Sequence, residues 1–551
     1  MRNREVLTLL IILIVGAVLR GYNIGEGWLP LFIDESTMLL NAKDNFSYFM
    51  RENLSLVMII RKFASQSIIY TIPFFLSPKI LENPEIAIIV FRSISFFAST
   101  LSIVMIWLIS RRVFSFNLSI LTVTIFALFP LNVFYGRLAL LYPLLHLFQL
   151  INIYFCLKVL ETRSSSWLVI SLLFSIYLFF TYPFSWLINI PIILLLIMLA
   201  ISGELNRNRE LLLTFILSCS LLVICLFTVF SDVPRHYQHL FQKWAQPESG
   251  WFIGPFGWSN LEKITFSLNY IFYYLNLYTM GYLTFILALV IMIFVSLLKE
   301  MLKKARNVTF IKIFRIKLCI KNFTKGLYSK NSINPPTSSR SVKFFILVCS
   351  FSSLLSLYYG FYARRVVFIT TLLAFIFPLS IEVFRKLFKK CKFFERIILS
   401  ILIVQLIMMF FVNYHLISNV IDAPLFEVDK QIFIHRYTSG YGFKEVTLFI
   451  KEKIINDRDV KVLFITDAPN LLRFYLSDRY NVIGIDENNF QGFIRSVRMN
   501  FSGEIYLVVK KSYVNEWVSK LIEKGYIIEI IQEFRVPLAE VDNCIIIYKL
   551  H

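Results

Sequence analysis

Long apolar runs, separated by short polar segments, occupy the chain as far as about residue 412. A membrane-spanning helix needs roughly 20 mostly apolar residues, and the pattern provides about eleven such stretches. They cover residues 5–20, 86–109, 118–135, 139–157, 167–182, 185–202, 211–230, 270–298, 343–359, 366–383 and 396–412. The mean hydropathy of +0.68 and the 57% share of apolar residues agree with this pattern. The sequence therefore predicts a polytopic α-helical membrane protein.

Basic residues fall in alternate loops between these predicted spans. They occur at Arg111-Arg112, at Lys158 and Arg163, at Arg207 and Arg209, throughout 299–342 and in "RKLFKKCKFFER". Because cytoplasmic loops carry an excess of Lys and Arg, we expect a cytoplasmic N-terminus, which the first apolar run forms as a retained helix. The odd number of spans places the C-terminal region outside, and we predict a multi-pass protein of the cytoplasmic (plasma) membrane. This asymmetry also accounts for the net charge of +21, and no motif for nucleic-acid binding accompanies that charge.

The composition changes after about Asn413. Five runs rich in β-branched residues appear, with helical patterns between them: "KVLFITD", "NVIGID", "EIYLVVK", "YIIEIIQEF" and "CIIIYKL". Strands alternating with helices predict a small α/β domain with a largely parallel sheet. We therefore divide the chain into a transmembrane domain, 1–412, with long outer loops at 21–84 and 231–266, and an extracytoplasmic α/β domain, 413–551.

Two adjacent carboxylates, Asp34 and Glu35, lie in the apolar stretch "WLPLFIDEST" of the first outer loop. A carboxylate beside hydrocarbon is costly, and one at membrane depth is a functional candidate by default. A loop carboxylate, or a cap on a helix that begins near Ser36, explains the pair equally well. In contrast, His146 lies inside a predicted span, where a lone histidine is more often a packing residue.

The order of five segments resembles the C-type membrane glycosyltransferases, in particular the dolichyl-phosphate-mannose protein mannosyltransferases and the lipid A aminoarabinose transferase. The Asp-Glu loop is followed by "EIAIIVFRSISFFASTLSIVMIWLISRRVF" and by "FPLNVFYGRLALLYPLLHLF", which is similar to a family stretch P-x-x-x-x-Y-S-R-E-A-R-x-Y-x-L-L. "YGFYARRVVFITTLLAFIFPLS" and "YTSGYGFKEVTLFIKEK" come later. The resemblance covers roughly residues 1–465. Leu138 and Leu140 depart from it, because bacterial relatives often have Glu and Arg there.

The resemblance implies roles for particular residues. Asp34 takes the position of the catalytic base, and Glu35 helps to orient the site or the acceptor. Cations must then bind the donor phosphate, and the candidates are Arg364, Arg365, Arg137 and Arg92. Sugar or lipid contacts are expected from Tyr142, Trp251 and Trp258, although interfacial anchoring explains the two tryptophans as well. Whether the site binds a divalent metal is left open, since Leu138 stands where bacterial relatives often have a glutamate.

The resulting hypothesis is an inverting glycosyltransferase. It transfers a hexose or a pentose from a polyprenyl-phosphate carrier to an acceptor hydroxyl on the outer face of the membrane. The acceptor is a protein, a glycolipid or a polymer. The alternative is a transporter or flippase of lipid-linked sugars, but the sequence shows neither paired halves nor the broken spans typical of that class.

Overall fold

The computed structural model describes part of the chain. The described residues are 3–25, 29, 31, 33–50, 68–181, 190–202, 209–221, 348, 370, 371, 373–375, 378, 381, 392–420, 423, 442–455, 461–476, 480–485, 501–510, 518, 519, 521, 522, 525–534 and 544–551. The predicted span 270–298, all of 343–359 except Val348, and most of 366–383 lie outside this part. The predicted outer loop 231–266 and the residues Trp251, Trp258, Arg364 and Arg365 also lie outside it.

The described part of the membrane domain consists of helices joined by short turns. We call residues 136–140, a short predicted outer loop distinct from 231–266, the second outer loop. The helices that precede it are α1 (Asn3–Gly21), α2 (Ile33–Phe49), α3 (Ile68–Leu76), the short 3-10 helix Pro78–Glu82, α4 (Pro84–Val113), α5 (Phe116–Leu128) and α6 (Pro130–Tyr135). They are followed by α7 (Leu141–Thr162), α8 (Ser165–Thr181), α9 (Ile190–Ser202), the helical residues 209–221 and α10 (Lys392–Ser418). These helices match eight of the predicted spans in position.

Within the described ranges, three helices are long and apolar enough to cross a membrane: Pro84–Val113, Leu141–Thr162 and Leu399–Ser418. Phe116–Leu128, Ser165–Ile176 and Ile190–Ile201 are shorter apolar helices. Large apolar side chains such as Leu7 of α1 and Val404 and Phe411 of α10 are more than half exposed. Such surfaces are stable against lipid, where apolar exposure carries no penalty.

Helix boundaries follow local chemistry. Asn83 caps α4, because its Oδ1 accepts hydrogen bonds from the amides of Glu85 and Ile86, and Pro84 occupies the first helical position. One predicted span, 118–135, is interrupted. α5 ends at Leu128 because Pro130 restricts the residue before it to extended backbone, and α6 begins at that proline.

Helix α4 is the centre of the membrane domain and packs against α1, α5 and α7. The turn after α6 approaches it so closely that a Cβ at Gly136 would lie 2.5 Å from Ser99 Oγ. A larger residue there would push the second outer loop away from α4. Gly136 thus holds that loop against the helix that carries Arg92.

The C-terminal region contains α11 (Phe443–Phe449), a π-helical turn Ile450–Ile455, β1 (Val462–Thr466), α12 (Pro469–Leu476), β2 (Asn481–Gly484), β3 (Glu504–Lys510), β4 (Ile528–Phe534) and β5 (Ile545–Leu550). The strand order is β2-β1-β3-β5-β4. The five predicted strands are all present. The side chains of β1 are buried, and its neighbours in the sheet cover both of its edges.

The sheet is mixed, so the expectation of a largely parallel sheet is wrong for half of it. β1 pairs in parallel with β2 and β3, whereas β5 is antiparallel to both β3 and β4. Only ten residues, 535–544, separate the neighbouring strands β4 and β5, whereas a parallel pair needs a connection of about a dozen residues or more. The pattern of apolar residues in each strand does not reveal the direction of its partner.

Candidate active site

Asp34 and Glu35 lie in the first turn of α2, which begins at Ile33, three residues before the predicted start. Carboxylates are stabilised there by the positive end of the helix dipole. The two side chains differ in exposure: Asp34 is half-buried, and Glu35 is fully buried. Since consecutive helical residues project about 100° apart, the pair cannot face the same partner.

Glu35 is bound by Arg92 of α4 in a bidentate salt bridge. Arg92 Nε donates to Oε1 at 3.0 Å, and Nη2 donates to Oε2 at 2.8 Å. Both side chains have an exposed fraction of 0%. The amide of Ala139, in the second outer loop, also donates to Oε1 at 2.6 Å. One carboxylate therefore joins α2, α4 and the second outer loop.

The remaining nitrogen of Arg92 holds the segment between α1 and α2. Nη1 donates to the carbonyl oxygens of Ile24, Gly25 and Leu29, at 3.2, 3.0 and 2.8 Å. All three guanidinium nitrogens thus have acceptors from the protein. Bonds of this kind, with an ionised donor, are stronger than neutral hydrogen bonds.

Arg137 holds the same segment from the other side. Its Nη1 donates to Leu19 O at 2.9 Å, and its Nη2 donates to Tyr22 O and Asn23 O at 2.6 and 3.3 Å. The last carbonyls of a helix lack intrahelical partners and carry partial negative charge. Arg137 therefore caps α1 and ties its end to the second outer loop.

Arg20, in the last turn of α1, is a third fully buried arginine. Its Nε donates to Ser99 Oγ at 2.8 Å, and its Nη1 donates to Gly16 O and Ala127 O, each at 2.9 Å. We call Arg20, Arg92 and Arg137 the arginine frame. Together they connect α1, α4, α5 and the second outer loop around the segment that leads to Asp34.

Tyr70 of α3 fixes the second outer loop at its far end. Its hydroxyl donates to Leu140 O at 2.8 Å and lies 2.9 Å from Ser95 Oγ, and its ring stacks on Phe91. The sequence analysis named neither Tyr70 nor Arg20. A buried arginine at the end of an apolar helix was the available signal, because charge at that depth usually has a function.

The structure places the other candidates as follows. The side chains of Arg92 and Arg137 are fully buried, and both donate hydrogen bonds to protein oxygens. Phosphate binding by either residue stays a prediction. Tyr142 is half-buried at the start of α7 and packs against the core. His146 is buried, with Nε2 2.7 Å from Thr371 Oγ1, a contact that fits the expected packing role.

A divalent metal does not fit the described part of this site. Both oxygens of Glu35 accept hydrogen bonds from Arg92, and one of them also accepts from Ala139. Leu138 is a buried apolar residue at the position where the resemblance implies a carboxylate. Among the described residues, no three His, Cys, Asp or Glu side chains are grouped closely enough to hold a metal ion.

Solved structures share the architecture of this chain. The oligosaccharyltransferase of Archaeoglobus fulgidus, in complex with Zn and sulfate, is 12% identical with a TM-score of 0.52, over 98% of this chain and 74% of that chain. Its apo form is 10% identical with a TM-score of 0.50, over 93% and 70% of the two chains. ArnT from Cupriavidus metallidurans in the apo state is 11% identical, with a TM-score of 0.49, over 98% and 97%. No protein-family model and no curated protein sequence matches the chain.

The TM-scores of 0.52 and 0.50 establish the fold alone. The chain shares a fold with the archaeal oligosaccharyltransferase. The resemblance found in the sequence is confirmed at this level. The protein is accordingly a multi-pass membrane protein.

Proposed function

We propose that the protein is an inverting glycosyltransferase of the membrane's outer face. It takes a hexose or a pentose from a polyprenyl-phosphate carrier and transfers it to a hydroxyl of a protein, glycolipid or polymer. The observation that carries this proposal is the unequal placement of two adjacent carboxylates. Glu35 is buried and bound by Arg92, whereas Asp34, at the amino end of the same helix, is half-buried.

The chemistry of transfer suits this arrangement. The acceptor oxygen attacks the anomeric carbon from the side opposite the phosphate, and Asp34 takes the proton of the acceptor hydroxyl. A bond forms between the acceptor oxygen and the anomeric carbon, while the bond from that carbon to the phosphate oxygen breaks. The polyprenyl phosphate leaves with the electron pair of the broken bond, and the anomeric configuration is inverted.

Glu35 positions the base in this scheme. With both oxygens in short hydrogen bonds to Arg92 and Ala139, its carboxylate is committed to holding the first turn of α2 against α4 and the second outer loop. A base must lie within hydrogen-bond reach of the proton that it removes. The arginine frame supports the same geometry, because it holds the backbone immediately before Asp34.

The donor phosphate requires cations that are not already committed. Arg364 and Arg365 are proposed for this role, since guanidinium groups can each donate two bonds to a phosphate. Their sequence position, before a predicted span on the outer side, places them at the depth of a lipid phosphate. Negative charge that develops on the leaving phosphate would then be stabilised where it forms.

The fold also supports the proposed function. An archaeal oligosaccharyltransferase shares this fold with a TM-score of 0.52, which supports glycosyl transfer as the activity. The basic loops support the outer face as the location, because they assign the loop of Asp34 to that side. None of the described helices presents the feature that would favour transport, a pair of matching broken helices at mid-membrane.

Mass spectrometry of glycans and glycolipids tests the proposal in cells. Cells with the gene, without it and with Asp34→Asn in its place are compared, and the parental and variant proteins are present at equal levels. We expect one glycan or glycolipid to lose a single sugar both in the deletion and in the variant. The proposal is wrong if the deletion changes no glycoconjugate, or if the variant restores the sugar fully.

A further inference from the structure

The outer α/β domain contacts the helix that carries Asp34. α12 packs along α2, and Asn470 Nδ2 donates a hydrogen bond of 2.8 Å to Thr37 Oγ1. Both side chains are half-buried. The contact joins residues 433 positions apart in the chain, and it therefore depends on the placement of the whole domain.

Thr37 and Asp34 lie on one face of α2. Residues three apart in a helix are neighbours on its surface. The positions Asp34, Thr37, Asn41 and Asp44 form a polar stripe that is half-buried or exposed, while Glu35, Ser36, Met38 and Leu39 are buried against the membrane domain. The outer domain thus meets α2 on the stripe that contains the proposed base.

Asn470 is rigidly connected to the sheet of its own domain. The apolar side of α12 is buried, including Leu471, Leu472 and Leu476. Arg473, one position after Leu472, donates from Nε and Nη2 to Val482 O of β2 at 3.0 and 2.7 Å. A displacement of the sheet would consequently move Asn470 and, through Thr37, the first turns of α2.

A second contact between the domains lies elsewhere. Lys444, in the first turn of α11, forms an ion pair with Glu85 at the start of α4, and the two side chains are 41% and 61% exposed. Exposed pairs of this type contribute little to stability. Because it connects the same two domains without touching α2, this pair provides a matched control.

We propose that Asn470 is a positioning residue for transfer. Through its bond to Thr37, the outer domain fixes the first two turns of α2 and thereby the direction of the Asp34 carboxylate, so that the domain is part of the catalytic unit. This inference rests on the proposed function, since it assigns Asn470 a role in aligning the proposed base.

Kinetics of the full-length protein in nanodiscs give the first test. The donor is a synthetic polyprenyl-phosphate sugar, and the acceptor is the glycoconjugate that lacks the sugar. We expect Asn470→Ala and Thr37→Val each to lower kcat about 3- to 10-fold, as for one lost hydrogen bond, with the donor KM within twofold of the parental value. The double variant should be no slower than either single variant, because both remove the same bond. Thr37→Ser, which keeps the hydroxyl, and Lys444→Ala should retain parental kcat.

Hydrogen exchange provides a readout that needs no activity. Asn470→Ala should speed exchange of the amides of residues 34–40 at least threefold, whereas Lys444→Ala should leave them unchanged. If the parental protein transfers no sugar, the proposed function fails and the exchange data still decide the inference. The inference is overturned if Asn470→Ala leaves exchange in α2 at the parental rate, or if its effect on kcat adds to that of Thr37→Val.

Discussion

Glu35 and Arg92 form a fully buried bidentate salt bridge, with Nε–Oε1 and Nη2–Oε2 distances of 3.0 and 2.8 Å. They lie 57 positions apart and join α2 to α4. The adjacent carboxylate, Asp34, has a different environment although it differs by one residue in sequence. The Asp-Glu pair therefore consists of a buried acid that joins two helices and a half-buried acid, which is the one proposed as the base.

Glu35→Gln should destabilise the protein. The change leaves the Arg92 charge buried without its counterion, and removing one member of a buried ion pair costs about 3–5 kcal/mol. Thermal unfolding in detergent measures the effect. Asp44→Asn is the matched control, since Asp44 is exposed on the same helix and surface changes alter stability by about 0.5 kcal/mol or less. Equal stability of the two variants would contradict the structural role of Glu35.

Arg137→Gln should act on stability more than on donor use. The side chain loses charge-assisted bonds to the carbonyls of Leu19 and Tyr22, and bonds of this type contribute about 1.5–3 kcal/mol each. Thermal unfolding and the donor KM of the folded fraction separate the two roles. A raised donor KM with unchanged stability would instead support the phosphate-binding role that the sequence predicts.

Replacing Arg364 and Arg365 by Gln should weaken donor use and leave stability unchanged, the opposite of the result expected for Arg137→Gln. Each lost charge-assisted bond to the donor phosphate should cost about 1.5–3 kcal/mol of donor binding, while acceptor use and thermal stability stay near the parental values. Steady-state kinetics with the donor and the acceptor varied in turn measure both terms. A double variant with parental donor kinetics would exclude these residues from the phosphate site.

A membrane-impermeant thiol reagent added outside intact cells should reach cysteines in the C-terminal region and should not reach cysteines in the basic loops. Glu529→Cys, on an exposed position of β4, should gain labelling from outside intact cells, whereas Lys317→Cys and Thr162→Cys should gain none until the membrane is opened. Gain is measured relative to the parental chain, which has seven cysteines of its own. If intact cells instead gain labelling at Lys317→Cys and Thr162→Cys but not at Glu529→Cys, the orientation is reversed and Asp34 lies in the cytoplasm.

Local patterns in the sequence predict local structure well. The apolar runs locate α4, α7 and α10, and the five β-branched runs locate the five strands. The start of α2 is predicted to within three residues, because Asp34 and Glu35 are typical of a first helical turn. Each of these signals lies within a few residues of the element that it predicts.

Contacts between distant segments are not visible in these patterns. Nothing near Glu35 indicates that Arg92 would bind it, or that the amide of Ala139 would complete the site. The hydrophobic period of β5 is likewise the same for a parallel and an antiparallel neighbour, and so the mixed sheet was not predicted. The family resemblance names Asp34 and gives Glu35 an orienting role, but the partners of Glu35 follow only from burial and bond geometry.

The rate of sugar transfer per folded molecule of Asp34→Asn tests the central claim most directly. Asn keeps the size of the side chain and removes its basicity, so the account predicts a rate about 10²–10⁴-fold lower. Donor affinity and thermal stability, measured on the same preparation, should stay near the parental values, because the Glu35–Arg92 pair is untouched. If Asp34 instead serves only the helix terminus, the variant loses about 1 kcal/mol of stability and transfers sugar at the parental rate, and that result would contradict the account.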